Sequence, residues 1–266
     1  MLYNETFGDA HDTIVFLHGI GGTSRYWKTR VKSLSSSYHL ILIDLLGYGQ
    51  SPKPWTKYTV DRHVEELYRV LYEHESLTIV GHSFGAIIAL AFAARYPHLV
   101  KRLVLISLPY FGDKAGAFRY FRNSNLADRY VMTNIAFAAL ACVMTRYVLR
   151  WLLPYVLRDM PREVVQDLTR HTWRSYTSSV WDGIYRHDLL DDTTQLDANC
   201  DILFLHGELD ETAPLSGVKQ LMHGHPDWPL CILANADHHP LLLDPQWCVR
   251  AINSIMNNST IDCCSD

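Results

Sequence analysis

The sequence lacks the signatures of several common function classes. It contains six cysteines but no C-x-x-C pair and no His/Cys cluster at metal-ligand spacing, so neither a structural metal nor a dithiol redox centre is expected. There is no glycine-rich phosphate loop, internal repeat or low-complexity tract. A net charge of −4 without a basic tail argues against nucleic acid as a partner. The first residues carry no basic segment leading into a long apolar run. The apolar stretch from Ile135 to Pro154 is interrupted by Thr145, Arg146 and Arg150, so it falls short of the roughly 18 uninterrupted residues of a transmembrane segment. The expected setting is a reducing cytoplasm with unpaired thiols, Cys263 and Cys264 lying in the polar tail 257–266.

What the chain does contain is a series of short β-branched runs, each ending in a glycine-containing turn. Its 266 residues, 48% of them hydrophobic, suffice for one large domain with an insertion. Gly81-His82-Ser83-Phe84-Gly85 carries the most information. It follows Leu77-Thr78-Ile79-Val80, which reads as a strand buried on both faces, and precedes an Ala-rich helical segment stopped by Pro97. A serine on such a strand-to-helix turn takes an unfavourable backbone conformation, which only small residues two positions away on either side permit. Gly81 and Gly85 stand at those positions. The hydroxyl then projects above the sheet, with the N–H groups of the following helix behind it.

Other strand ends supply complementary groups. Thr13 to Leu17 runs into His18-Gly19-Ile20-Gly21-Gly22, a turn that can bring a backbone N–H against a ligand. The N–H groups of Ile20 and Phe84 are the expected donors to a developing oxyanion, each worth roughly 3 kcal/mol in the transition state. Ile202 to Leu205 leads into His206-Gly207-Glu208-Leu209-Asp210, which puts Asp210 just past a strand's carboxyl end, where open α/β sheets gather functional groups. Glu208 and Glu211 read as solvated loop carboxylates. Leu230 to Leu233 is a last short strand, and Asp237-His238-His239-Pro240 follows it. Strands are expected near 2–7, 13–17, 40–44, 77–80, 103–106, 202–205 and 230–233. Helices are expected over about 24–36, 61–74, 84–96, 216–223 and 246–257, with 3.6-residue apolar spacing in Val64, Leu67, Tyr68 and Leu71.

In this order, the segments resemble the α/β-hydrolase family of capped serine hydrolases. The resemblance rests on H-G-x-G-G, on Asp44-Leu45-Leu46-Gly47-Tyr48-Gly49-Gln50-Ser51 matching D-x-x-G-x-G-x-S, on the G-x-S-x-G turn, on H-G-x-x-D and on a terminal histidine before proline. It implies an α/β fold, a mostly parallel sheet of about seven strands flanked by helices. Residues 1–110 and 191–266 would form the core, and a helical cap, 111–190, would be inserted after the family's sixth strand. It also implies a serine carboxylesterase that needs no cofactor and no metal. Ser83 would be the nucleophile, His238 the base, Asp210 the group that orients the base, and Ile20 and Phe84 the oxyanion hole. The G-H-x-P pattern favours His238, with His239 as the alternative. His18 and Gly19 are expected to border the substrate, and His18, His82 and His206 to act through loop hydrogen bonds and packing.

The cap position is where the family sets substrate choice. Residues 111–190 carry a charge of +4 against −8 for the remainder, and ten of their eleven basic residues are arginines. These are Arg119, Arg122, Arg129, Arg146, Arg150, Arg158, Arg162, Arg170, Arg174 and Arg186. A basic cap over an acidic body suggests an anionic substrate or partner. Within the family this is similar to the methyl esterases that act on pimeloyl-carrier protein in biotin synthesis, so a carrier-linked acyl ester and an acyl carrier protein are expected alongside small esters. Arg119, Arg122, Arg146 and Arg150 are the expected substrate contacts. The apolar run is expected to be a buried cap helix, the alternatives being an acyl-pocket lining or a surface that touches lipid. Carbon–carbon bond hydrolysis and a ligand receptor on the same fold are the other functional readings.

Overall fold

Side chains alternate across a strand, and the strand runs place apolar residues at both parities, so the sheet has to be covered on both faces. In the computed structural model, which describes residues 1–156 and 160–259, seven strands form one sheet. They are β1 (Asn4–Phe7), β2 (Thr13–Leu17), β3 (His39–Ile43), β4 (Leu77–His82), β5 (Val100–Ile106), β6 (Asp201–Gly207) and β7 (Leu230–Leu233). Their order is β1-β3-β2-β4-β5-β6-β7. Only β1 is antiparallel to its neighbour, and it closes one edge on β3. The expected α/β class and strand number are what the structure has.

Three helices lie among the first five strands: α1 (Arg25–Lys28), α2 (Val60–Leu71) and α3 (Phe84–Arg95). Between β5 and β6 the chain makes a helical insertion of α4 (Lys114–Arg122), α5 (Leu126–Thr133), α6 (Ile135–Tyr147), α7 (Leu153–Val156), α8 (Arg162–Asp167), α9 (Trp173–Ser178) and α10 (Leu189–Thr194). After β6 come α11 (Leu215–Leu221), α12 (Pro240–Leu243) and α13 (Pro245–Met256). Val15, Leu17, Ile79, Leu103 and Leu105 pack under α2 and α3 in one core. Their strand neighbours Ile14, Phe16, Val80, Val104 and Ile106 pack with Trp27 of α1 and Trp247 and Ile252 of α13 in the other. The Ala-rich α3 is buried almost throughout, which lets it lie close against the central strands and fixes the turn at its N-terminus.

Three expectations are corrected. The helix expected over 24–36 is split into α1 and a 3₁₀ segment, Lys32–Ser36. The break falls at Thr29 to Val31, and within the second segment Ser35 and Ser36 donate to the carbonyls of Lys32 and Ser33 and so compete for backbone acceptors there. The apolar run of the insertion is not a buried helix: α6 buries Ala138 alone, and Ile135, Phe137, Leu140 and Tyr147 are exposed. Finally, Cys231 is disulfide-bonded, whereas Cys142, Cys200 and Cys248 are free thiols. Arg158, Cys263 and Cys264 lie outside the described residues.

Candidate active site

The turn between β4 and α3 sets the geometry. Ser83 has φ 54° and ψ −119°, a left-handed conformation that costs a non-glycine residue free energy and persists only where its surroundings hold it. A Cβ on Gly81 would lie 2.4 Å from the Gly85 carbonyl oxygen, and one on Gly85 would lie 2.3 Å from that of Leu17. The chain therefore needs glycine at both places for the turn to close against β2. Among the described residues, neither the Phe84 N–H, at the first position of α3, nor the Ile20 N–H meets an intramolecular acceptor. Ile20 borders the cavity above the serine.

From the ends of β6 and β7 come the other two groups. His238 Nε2 is 2.9 Å from Ser83 Oγ, and His238 Nδ1 is 2.8 Å from Asp210 Oδ2. The other carboxylate oxygen of Asp210 accepts from the N–H groups of Thr212 and Ala213 at 2.9 and 2.8 Å. Burial opposes ionisation of Asp210, but the hydrogen bond and charge of His238 and the Ala213 N–H outweigh it, and the carboxyl sits below its ordinary value. An ionised Asp210 fixes the Nδ1–H tautomer of His238, which leaves Nε2 free to take the hydroxyl proton. Ser83, His238 and Asp210 are thus brought together in one hydrogen-bonded chain. His239 points elsewhere, 3.4 Å from the Tyr26 hydroxyl, and burial, with His238 beside it, lowers it to about 4.

The histidines beside glycines take supporting positions. His82 donates from Nε2 to the His238 carbonyl at 2.8 Å, and its ring stacks on Tyr26 with centroids 4.8 Å apart. Burial, together with His238 and His239, holds its pKa well below the usual value, so it is a neutral strut against the backbone of His238. His206 donates to the Ala213 carbonyl at 2.8 Å, below Asp210. His18 is fully buried and does not reach the cavity: the Leu45 N–H donates to its Nε2 at 3.0 Å, and its Nδ1 donates to the Gly19 carbonyl. Its expected place beside the substrate is corrected on that ground. It holds the glycine loop to the end of β3, while Gly19 does border the cavity. Asp44 of the D-x-x-G-x-G-x-S turn also serves structure, accepting from the N–H groups of Ser24 and Gln50 at 2.6 and 2.7 Å.

Over the serine lies a cavity of about 260 Å³, walled by Phe121, Met132, Met160, Val164, Leu168, Tyr176, Val180 and Ile184 of the insertion. Sequence reasoning missed these residues individually. Each belongs to a short helix or loop whose apolar positions carry no motif, and the fold alone tells which of them face Ser83. The arginines expected as substrate contacts are not among them. Arg119 borders a separate outer groove with Glu211, and Arg122 is exposed. Arg146 donates to the His171 carbonyl at 2.8 Å, and Arg150 lies over the Trp151 ring. Guanidinium groups keep to water or to carbonyl partners rather than enter an apolar cavity without a counter-charge.

This construction, a serine on a strained turn between a central parallel strand and a buried helix, with acid and base on later strand ends, coincides with a match of residues 12–245 to the family model of the alpha/beta hydrolase fold. The chain belongs to the α/β-hydrolase fold family. Solved structures agree in fold: a thermophilic esterase from Thermogutta terrifontis aligns at a TM-score of 0.73 and 21% identity over 97% of this chain and 93% of that one. A bromoperoxidase from Bacillus anthracis aligns at 0.76 and 18% identity over 96% and 95%. In sequence, the chain is 40% identical over 106 residues to the probable lysophospholipase BODYGUARD 4 of Arabidopsis thaliana, 38% of this chain and 25% of that protein. It thus spans about a quarter of the length of that relative. Among the described residues, no helix is long and apolar enough to cross a membrane, and no group of three His, Cys, Asp or Glu side chains could hold a metal ion.

Proposed function

We propose that this α/β-hydrolase is a serine carboxylesterase that cleaves the ester of a short to medium apolar acyl group. The observation that carries the reading is the unbroken chain Ser83–His238–Asp210, at 2.9 and 2.8 Å, opening into an apolar cavity. His238 takes the Ser83 proton as Oγ attacks the ester carbonyl, and the N–H groups of Ile20 and Phe84 receive the negative oxygen. The proton then passes to the departing alcohol, and water hydrolyses the acyl-enzyme by the same route in reverse. Residues 111–190 act as the cap, and their side chains over Ser83 set which acyl group fits. The relatives described above, a probable lysophospholipase and a thermophilic esterase, support an ester substrate. An anionic acyl group inside the cavity draws no support from the arginines, because none of Arg119, Arg122, Arg146 and Arg150 borders it.

A chain-length series of p-nitrophenyl and methyl esters tests the reading, with Ser83→Ala as control and a parallel set of acids bearing a distal carboxylate. Turnover of apolar short and medium chains that disappears in Ser83→Ala is the expected result. Turnover that survives the substitution would overturn the nucleophile, and a preference for the distal carboxylate would restore the anionic substrate. No turnover by the wild-type chain would favour carbon–carbon cleavage or a receptor.

A further inference from the structure

Of the 21 large apolar side chains exposed among the described residues, 13 fall between Leu126 and Tyr155. A globular surface spreads such residues singly, and a cluster marks a contact surface. Charge narrows the choice of contact. From Arg129 to Val156 the sequence has three arginines and no aspartate or glutamate, in a protein whose net charge is −4. Each of these arginines lies over the aromatic ring that follows it in sequence: Arg129 over Tyr130 at 6.0 Å, Arg146 over Tyr147 at 5.5 Å and Arg150 over Trp151 at 4.7 Å. Tyr147 and Trp151 are 67% and 71% exposed, and Leu140 and Leu152 beside them are over half exposed. Exposed amphipathic rings, guanidinium groups and aliphatic side chains gathered in one segment are the composition that settles at the headgroup level of a bilayer with anionic lipid. A second copy fits poorly, since residues 126–155 carry three arginines against one aspartate, Asp128, and would meet their own net positive charge across a two-fold axis.

We propose that the outer face of residues 126–155 docks the protein peripherally on an anionic lipid surface and delivers a membrane-borne acyl ester to Ser83. The same segment connects the two places. Helix α5 turns Met132 into the cavity over Ser83 while Leu126 and Tyr130 face outward, and Met160, just beyond α7, borders the cavity again. Docking would therefore put lipid against the outside of the wall that encloses the acyl site. The delivery part rests on the esterase reading; the docking part does not.

Cosedimentation with vesicles tests it, using the full chain carrying Ser83→Ala so that turnover plays no part. Vesicles of phosphatidylcholine alone are compared with vesicles that also contain phosphatidylglycerol. The expected result is binding that is stronger on the anionic vesicles and weakened by salt. Trp151→Ser with Leu152→Ser should lower partitioning roughly tenfold on both vesicles, and Arg150→Glu should lower it severalfold on the anionic ones only. In the Ser83 background, both sets should leave hydrolysis of a short soluble ester unchanged and depress hydrolysis of a long-chain ester carried in vesicles. Ile135→Gln with Leu140→Gln repeats the test should the first pair fail to fold. Absence of vesicle binding, or binding that none of these substitutions weakens, overturns the proposal. So does a dimer in solution that the same substitutions dissociate while vesicles are ignored. If Ser83→Ala binds vesicles but the wild-type chain hydrolyses no ester, the esterase reading fails and the docking surface stands.

Discussion

The floor of the Ser83 site and its roof are built by different means. The floor is α/β core: every functional side chain there is held by a named polar partner, and two glycines occupy places where a Cβ would overlap a backbone oxygen. The roof is made of short helices that turn interchangeable apolar side chains toward the serine and others toward solvent. One part fixes positions to fractions of an ångström, which the chemistry requires; the other fixes only volume and polarity. Substitutions should consequently abolish function in the floor and redirect it in the roof.

The sharpest contrast lies in rate. His238→Ala should cost about 10⁶-fold in kcat and Asp210→Asn about 10⁴-fold, with thermal stability little changed; the ester assay and a melting curve read both. A roof substitution that cost as much would break the comparison. Next comes folding itself. Gly85→Ala pushes a methyl to 2.3 Å from the Leu17 carbonyl oxygen and should destabilise by several kcal/mol, seen as lost soluble yield or an early denaturation midpoint. Floor and roof meet at Asp167 of α8, which is buried and accepts from Thr23 Oγ1 at 2.5 Å and from Arg25 at 2.9 Å. Asp167→Ala should cost about 1–3 kcal/mol and raise KM more than it lowers kcat.

Several polar side chains buried in the floor, Trp27, His63 and Ser107 among them, have polar atoms without a hydrogen-bond partner among the described residues. His63 of α2 packs edge-on against Phe84, and among the described residues neither of its ring nitrogens meets a hydrogen-bond partner. Burial lowers its pKa from 6.5 to about 3, so the fold binds the neutral ring. The unfolded chain takes up the proton first, and the stability present above pH 6.5 is lost as pH falls toward 3. His63→Leu should flatten that loss, and denaturant midpoints at pH 5 and pH 8 measure it; an unchanged difference between them would contradict the assignment. The smallest effect belongs to the roof. Ile184→Ala enlarges the cavity and should move the preferred acyl length upward by a few-fold in kcat/KM while leaving the short-ester rate within about twofold.

The legible and illegible parts of the sequence follow the same division. Gly81 and Gly85, the β-branched strand runs and the order of Ser83, Asp210 and His238 are visible because backbone geometry there accepts few residue types. The adjacent letters do not tell His238 from His239, whereas in the fold His238 bonds Ser83 and His239 turns toward Tyr26. The roof was much less legible. An apolar helix reads the same whether protein or something else covers it, so the run beginning at Ile135 looked like a core element and is instead largely exposed. Arg146 looked like a substrate contact because its charge is visible in sequence, whereas its partner, a main-chain carbonyl at His171, is not. The split of 24–36 was hidden for a similar reason, since Thr29 to Val31, where the two segments part, contain no glycine or proline to mark a break.

The contacts of Asp167 have a mechanical side as well. They pin α8 to the loop and helix that follow the glycine turn, and Arg30 adds a second tie to Glu163 at 3.1 Å. The roof is clamped elsewhere too: Tyr48 and Gly47 bond Ser175 and Ser179, the Tyr58 N–H donates to Ser178, and Tyr120 donates to the Glu211 carbonyl. A lid riveted on several sides cannot lift as a whole without breaking many bonds at once, so a long substrate would be admitted by local parting of the short helices between the rivets.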